Sequence, residues 1–341
     1  IVTKPAGTGG VVNEQTVKEQ LVYEIGDPGR YLSPDLQVSF LNLQIRQCGV
    51  NRVSVTGAEG SEPPETLKVS ATYRDGYRAA GTLTIFGYQS ASKAKRSAEI
   101  VLQQLVEAGW SYRDTAVECL GHADSIQLMK GTLDECLLFE SVMRVAVESE
   151  SKAAVEAFSQ ALMSLVTAGA QGTTGYAEGR PRVHSVFRYW PCLIEAGRLS
   201  ARVDIFTSRD TLTDRVTPIH WSQPRQMDAE SATLSIGQLD RLRTGRLIDR
   251  AYGRSGDKGT GANVGILVRD MSDYPWLKEW LTLERVQNYF SRLNVLSVQR
   301  FELPSIGGIN FLLHGVLQSG IRNDAQGKAL AQALLLMPLD S

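Results

Sequence analysis

The spacing of hydrophobic residues predicts two amphipathic helices in the middle of the chain. In SASKAKRSAEIVLQQLVEAG (90–109) and KAAVEAFSQALMSLVTAG (152–169), apolar side chains recur every three or four positions, which places them on one face of a helix. Short runs rich in β-branched and aromatic residues around these helices predict strands. The predicted strands are GTLTIFGY (81–88), AVECLG (116–121), SVMRVAVES (141–149), RVHSVFRYW (182–190) and ARVDIFTS (201–208).

The order of these elements is β-α-β-β-α-β, which is typical of the split-βαβ unit of a ferredoxin-like sandwich. We expect the strand at 201–208 to extend the same sheet. Before this unit, Asn13 is a good N-cap for an amphipathic helix over EQTVKEQLVYEI (14–25), and β-like bursts follow between 36 and 57. Residues 222–243 are predicted to form a polar connector.

The last hundred residues predict a second small α+β unit. LIDRAYGR (247–254) and NVGILVRD (263–270) are predicted strands, separated by a loop longer than a tight hairpin needs. A helix broken near Thr282 follows, and then the strand SVQRFELP. GGINFLLHGVL and DAQGKALAQALLLM are predicted to be helices. The whole chain is therefore predicted to be an α+β protein, with ferredoxin-like split-βαβ units, mixed or antiparallel sheets and a smaller C-terminal ferredoxin-like domain.

Composition excludes several classes of function. The chain has 341 residues and a net charge of −1, from 36 basic and 37 acidic side chains. It therefore lacks the excess of positive charge that proteins use to bind nucleic acid or a membrane surface. Its four cysteines have no CxxC spacing, and its four histidines form no HExxH, so no metal site is predicted. Without a long apolar stretch or a visible signal peptide, we expect a cytoplasmic protein with reduced thiols.

A glycine-rich and charged stretch, RSGDKGTGAN (254–263), is the first candidate site. Glycines allow close approach of the backbone to a ligand, arginine and lysine bind phosphate or carboxylate, and aspartate is a candidate base. In the alternative interpretation it is a salt-bridged loop, but exposed ion pairs contribute only about 0–1 kcal/mol. The predicted roles are catalysis by Asp257 and Lys258, and substrate binding by Arg254, Gly256, Gly259 and Asn263.

The second candidate is KPAGTGG (4–10), which lies before the predicted helix. The N-terminus of a helix favours anions, and Lys4 and Thr8 would add donors beside Gly9 and Gly10. The stretch matches neither a Walker A loop nor GxGxxG. Alternatively, it is a tight glycine turn in which Lys4 is solvated.

Two further stretches carry candidate residues. Asn310 and His314 are four positions apart in GGINFLLHG, which places them on one face of the predicted helix, and histidine transfers protons near neutral pH. A histidine that caps or packs against that helix is the alternative. GAQGTTGYAEGRPR (169–182) is either a lid or a plain connection, in which Arg180 and Arg182 are placed to meet a carboxylate. Tyr189 and Trp190 are interpreted as core or interface residues.

Several stretches together resemble the acyclic terpene utilisation proteins, the AtuA family. They are KPAGTGG, LVYEIGDPGRYLSPD, GRPRVHSVFRYWPCLI, GRSGDKGTGANVGI and RFELPSIGGINFLLHG, in this order over essentially the whole chain. The resemblance implies a longer amino-terminal part, which we expect to be missing before Ile1. It also implies a remainder of an α/β domain over 1–75, a ferredoxin-like portion over 76–235 and a small ferredoxin-fold domain over 245–341.

The family resemblance implies a pathway, the breakdown of acyclic terpenes such as citronellol and geraniol through branched CoA thioesters. We therefore expect an enzyme that acts on an acyl-CoA or other anionic small molecule as a lyase, hydratase or hydrolase. The alternative is a non-catalytic protein that binds CoA thioesters or organises the pathway. Neither hypothesis needs a cofactor, a nucleic acid or a membrane, and a homo-oligomer is expected.

Overall fold

The protein contains both helices and antiparallel sheets. The computed structural model describes residues 1–120, 140–174, 179–199, 204–206, 211–213, 245–293, 295–317 and 325–339. The helices of this part are α1 (Glu14–Leu21), α2 (Ser90–Glu107), α3 (Lys152–Ala168), α4 (Tyr274–Trp280), α5 (Leu283–Tyr289) and α6 (Ala325–Leu335). The strands are β1 (Val2–Thr3), β2 (Tyr31–Leu32), β3 (Gln37–Ser39), β4 (Gln44–Gly49), β5 (Arg52–Thr56), β6 (Glu59–Ser61), β7 (Thr66–Phe86), β8 (Asp114–Leu120), β9 (Glu140–Ser149), β10 (Thr173–Thr174), β11 (His184–Glu195), β12 (Asp204–Phe206), β13 (Thr211–Thr213), β14 (Ala251–Lys258), β15 (Gly261–Val268), β16 (Ser297–Leu303) and β17 (Gly308–His314).

The predicted split-βαβ unit is confirmed. β7, α2, β8, β9, α3 and β11 follow one another along the chain, and the strands are antiparallel in the order β11-β7-β9-β8. α2 and α3 cover one face, where Phe158 and Leu162 of α3 are fully buried against the sheet. The side chain of Ser151 caps α3 by accepting a hydrogen bond from the Ala154 N–H. The apolar face of each helix and the alternating strands thus produce the sandwich that their periodicity predicts.

Two predictions for the amino-terminal half are wrong in detail. The strand at 201–208 does not extend the main sheet, because Asp204–Phe206 pairs with Thr211–Thr213 in a separate two-stranded sheet. The first helix ends at Leu21 rather than Ile25. Residues 22–26 leave the helix, and the backbone of Glu24 is left-handed with φ of 52°. The polar connector predicted at 222–243 lies outside the described residues.

The C-terminal unit is a four-stranded antiparallel sheet in the order β14-β15-β17-β16. Both of its faces are covered. On one face, Phe311, Leu334 and other residues of a large apolar cluster pack under the three helices α4–α6. On the other, Leu267 packs with Leu43 of the amino-terminal half. Burial on both faces explains why β15 is apolar without alternation.

Two elements of this unit differ from their prediction. GGINFLLHGVL is not a helix: Gly308–His314 is the central strand β17, hydrogen-bonded to both β15 and β16. Its short apolar run fits a buried strand as well as a helix, and only the pairing with neighbours decides between them. The predicted long loop after residue 254 is a tight hairpin, because β14 runs to Lys258 and β15 begins at Gly261. The helix break at Thr282 is confirmed, and its hydroxyl caps α5.

Candidate functional site

The glycine-rich stretch 254–263 forms the paired strands and turn of the β14–β15 hairpin. Arg254 to Lys258 lie on β14, and Gly259 lies in the two-residue turn with φ of 60°. Gly259 is the one glycine of this stretch whose backbone adopts the left-handed conformation that favours glycine. A Cβ built on Gly259 would have no atom within 4 Å. The other glycines therefore need a different explanation, which lies in what packs against them.

Gly256 and Gly265 give room to the chain segment at residues 22–26. A Cβ on Gly256 would lie 2.4 Å from Cγ of Glu24 and 2.9 Å from Cε2 of Tyr23. A Cβ on Gly265 would lie 2.5 Å from Cβ of Val22. The absence of side chains at these two positions lets the segment lie directly on the sheet.

The buried side-chain amides of Asn263 and Asn310 form hydrogen bonds with the same segment. Asn263 accepts a hydrogen bond from the Glu24 N–H at 2.8 Å and donates through Nδ2 to the Val22 carbonyl oxygen at 2.5 Å and to Oδ1 of Asn310 at 3.0 Å. Asn310 donates in turn to the carbonyl oxygens of Ile25 at 3.2 Å and Gly26 at 2.9 Å. Both side chains are fully buried. Their contacts thus serve the main chain of the protein itself, and substrate binding by these amides stays a prediction.

Two of the predicted charged residues, Arg254 and Asp257, lie near Tyr23 at the edge of this segment. The guanidinium of Arg254 lies 4.6 Å from the ring centre of Tyr23, in a cation–π contact. The pKa of the Tyr23 hydroxyl is raised, chiefly by its hydrogen bond with Glu24, then by burial and by the charges of Glu24 and Asp257, while Arg254 opposes the rise. Asp257 is exposed, and Cβ of Asp257 approaches Gly327 of α6. A catalytic role for Asp257 and Lys258 stays a prediction.

The other predicted residues lie apart from this cluster or on exposed surface. His314 is the last residue of β17 and is exposed, with Nε2 3.1 Å from Oε1 of Gln299. Its role as a proton-transfer group stays a prediction, and Asn310 and His314 share a strand rather than a helix.

The polar side chains of the loop at residues 4–10 form hydrogen bonds within the loop itself. Lys4 donates through Nζ to the Thr8 carbonyl oxygen at 2.5 Å, and the Thr8 hydroxyl donates to the Pro5 carbonyl oxygen at 2.8 Å. Gly9 and Gly10 are exposed, and nothing lies within 4 Å of a Cβ built on either. The α1 N-terminus is closed by a capping box between Asn13 and its own first turn, as predicted for this N-cap. Substrate binding by this loop stays a prediction.

A cavity of about 470 Å³ lies at the edge of the first sheet. β11 pairs with β7 as far as Arg78, and β10 pairs with it at Thr84 and Ile85. No described strand pairs with this edge of β7 between those points, and the cavity occupies the gap. Its walls combine cationic and aliphatic side chains, including Arg144, Arg180, Arg182, His184, Leu162 and Met163.

The wall that carries Arg180 and Arg182 is held by two contacts of Pro181. The Ser159 hydroxyl of α3 donates to the Pro181 carbonyl oxygen at 2.6 Å. A Cβ on Gly81 would lie 2.6 Å from Cγ of Pro181, so this glycine allows Pro181 to pack on β7. Neither arginine forms an ion pair with a residue in the described ranges, whereas Arg144 is bonded to the buried carboxylate of Glu118. The structure thus leaves two charged guanidinium groups at the mouth of the cavity.

An ionic cluster that the sequence analysis missed lies on neighbouring strands of the same sheet. Arg188 and Arg113 both bond Asp75, at 2.9 and 2.7 Å, and hold the pKa of its carboxyl below the ordinary value. Both arginines also bond Oε1 of Glu148, while its Oε2 is buried without a hydrogen-bond partner among the described residues. These residues are distant in sequence, and only the strand register brings them together. The unpartnered oxygen can accept one more hydrogen bond.

Two classes of feature are absent from the described part of the chain. No helix there combines the length and apolar character that a membrane crossing requires. No group of three or more histidine, cysteine, aspartate or glutamate side chains is arranged there to hold a metal ion.

Comparison with known proteins identifies the family. The model of the acyclic terpene utilisation family protein AtuA matches residues 1–205, and the model of the AtuA ferredoxin-like domain matches residues 245–340. No curated protein and no solved structure matches the chain. The first match alone spans more than half of the 341 residues. The chain therefore belongs to the acyclic terpene utilisation AtuA family, and this membership implies a part in acyclic terpene utilisation.

Proposed function

We propose that the protein acts on the CoA thioester of a branched acyclic acid, by hydration, lysis or hydrolysis, and binds an anionic group of it in the arginine-lined cavity. The observation that carries this proposal is the composition of the cavity walls. Arg180, Arg182 and His184 line the same space as Leu83 and Leu162. Phosphate and carboxylate groups are the preferred ligands of arginine, and aliphatic walls suit a branched hydrocarbon chain.

The size and position of the cavity support the same proposal. A volume of about 470 Å³ lies within the range of ordinary ligand pockets, roughly 300–1,000 Å³. This space accommodates an acyl chain or a phosphate-bearing arm, with the remainder of a CoA thioester outside it. Residues 80–83 of β7 border the cavity without a described strand partner on that edge, so their peptide groups are further candidates to bind the thioester.

The alternative, binding of a thioester without turnover, is favoured by one observation. Asn263 and Asn310, which the sequence nominates for substrate binding, hold the main chain at residues 22–26. Because these two amides are occupied in this way, the C-terminal sheet serves to hold residues 22–26 of the amino-terminal half in place. The enzyme hypothesis then requires a catalytic group near the cavity, where His184 lines the wall.

The test compares binding and turnover of citronellyl-CoA. Arg180 and Arg182 are replaced together by glutamine, and Arg96→Gln on the exposed face of α2 is the matched control. Since a charge-assisted hydrogen bond contributes about 1.5–3 kcal/mol, the double variant is expected to bind at least about tenfold more weakly in calorimetric titration. Unchanged affinity in the double variant would exclude the cavity as the anion site. Product detected by mass spectrometry selects the enzyme, and tight binding without product selects the alternative.

A further inference from the structure

The first part of β7 and most of β11 form a two-stranded ribbon that extends beyond the main sheet. β11 pairs with β7 from Thr66 to Arg78, whereas β9 pairs with β7 only from Tyr77 onward. Residues 66–76 therefore have β11 as their one strand partner within the described chain. A two-stranded ribbon of this kind is marginally stable by itself in water, so additional packing is expected.

One face of this ribbon carries an exposed apolar stripe. Side chains of a strand alternate between its faces, so Phe187, Tyr189 and Leu193 of β11 lie on the same side. They are 67%, 46% and 67% exposed. The hydroxyls of Ser70 and Tyr189, 3.2 Å apart, place the even-numbered residues of β7 on this face as well. On β7 these residues are polar, namely Thr66, Lys68, Ser70, Thr72 and Arg74, and the ammonium of Lys68 lies 5.4 Å from the ring centre of Tyr189. The apolar stripe therefore runs along β11 alone and faces outward.

The area of the stripe is about three quarters of the apolar area on one side of an ordinary protein interface. At about 200 Å² for each large side chain, the three exposed fractions leave roughly 350 Å² of apolar surface. A standard interface buries about 800 Å² per partner, a little over half of it apolar. The largest apolar patch on a typical single chain is of this size and is often functional.

The charges at the two ends of the same face are complementary under two-fold symmetry. Arg74, opposite Phe187, lies at one end, and Glu195, opposite Thr66, lies at the other. Eight residues at about 3.3 Å each separate the two ends by roughly 27 Å, so they do not meet within one chain. Arg74 forms no ion pair with a described residue, and Glu195 has an exposed contact with Arg198. A two-fold axis near Ser70 would bring Glu195 of one copy over Arg74 of the other.

We propose that the ribbon faces of two copies of this chain pack antiparallel across a two-fold axis, forming a homodimer. The Phe187–Leu193 stripes bury each other in its centre, and the Glu195 and Arg74 ends form ion pairs at its rim. A two-fold interface uses the same patch on both subunits, which a self-complementary face of this kind satisfies. This inference is independent of the cavity and of the thioester.

Sedimentation velocity over a concentration series tests the dimer. The wild-type chain is expected to dimerise, and Phe187→Ser combined with Leu193→Ser to raise the dissociation constant at least tenfold. Leu296→Ser, at a site that is 80% exposed in the C-terminal unit, is the matched control and leaves it unchanged. Circular dichroism confirms that each variant is folded. The proposal is overturned if the wild-type chain stays monomeric, or if the Phe187→Ser and Leu193→Ser substitutions leave the dissociation constant of the dimer unchanged. The stripe would then be a surface for a different protein.

Charge reversal tests the antiparallel arrangement separately. Arg74→Glu alone and Glu195→Arg alone each place like charges together and weaken the dimer. The double variant restores opposite charges between the copies and is expected to recover the wild-type dissociation constant within about threefold. Because the two residues are far apart in one chain, recovery is explained only by contact between copies. Additive weakening in the double variant would refute the two-fold arrangement.

Discussion

Replacing Asn263 by alanine should detach residues 22–26 from the C-terminal sheet. The substitution removes three hydrogen bonds and leaves the Glu24 N–H and the Val22 carbonyl oxygen without their partner. A hydrogen bond contributes about 1 kcal/mol net, and each orphaned buried group costs about 1–3 kcal/mol, so we expect a loss of about 3 kcal/mol in the free energy of unfolding. Asn288→Ala on the exposed face of α5 should change it by less than about 0.5 kcal/mol.

Hydrogen exchange at a single amide makes this prediction specific. The Glu24 N–H donates to Asn263, so its exchange should accelerate in Asn263→Ala even where global unfolding is slow. Affinity for citronellyl-CoA should fall no further than the loss of folded protein explains. Unchanged stability and unchanged Glu24 exchange, together with weaker thioester binding, would show that Asn263 binds substrate and does not hold residues 22–26 in place.

Two other substitutions test the packing and the ionic cluster. Gly265→Ala, whose Cβ would lie 2.5 Å from Cβ of Val22, should destabilise the protein by about 1–3 kcal/mol in denaturant titration, whereas Gly9→Ala should be nearly neutral; equal effects would contradict the close-approach argument. Arg188 and Arg113 lower the pKa of Asp75, so its contribution is present above the ordinary value of about 4 and lost as pH falls below it. Asp75→Asn should therefore flatten the decline of the melting temperature between about pH 5 and pH 3, and a decline as steep as that of the wild type would exclude this linkage.

Local patterns were sufficient for most of the first sheet. The periodicity of 90–109 and 152–169 predicts α2 and α3 to within two residues at their ends, because both helices bury one continuous face. The alternation at 141–149 predicts β9 equally well. These elements are determined by side chains close in sequence, and their order is enough to indicate the split-βαβ unit.

In the C-terminal unit, local sequence patterns do not predict every element correctly. Residues 308–313 lie on a central strand that is covered on both faces, so they have neither the helical nor the two-residue period, and only contacts with β15 and β16 define them. Asn263 and Asn310 were predicted to bind substrate, and that role stays a prediction. Apart from the bond between the two amides, their hydrogen bonds reach residues more than 200 positions away, which no local pattern contains.

The site illustrates the same limit. The glycines near Arg254 were predicted to let a ligand approach the backbone, whereas the groups that approach Gly256 in the structure are Tyr23 and Glu24 of the chain itself. Arg180 and Arg182 were noted in a loop as possible carboxylate ligands, but the cavity beside them arises from a gap between two strand pairings on β7. A gap of that kind depends on sheet register and leaves no sequence signal.

Hydrogen–deuterium exchange with and without citronellyl-CoA tests most directly where the ligand binds. We expect slower exchange at residues 80–83 and 179–182, which border the cavity, and no change across the β14–β15 hairpin at 254–263. Protection of the hairpin with none at the cavity would show that the thioester binds at the hairpin instead.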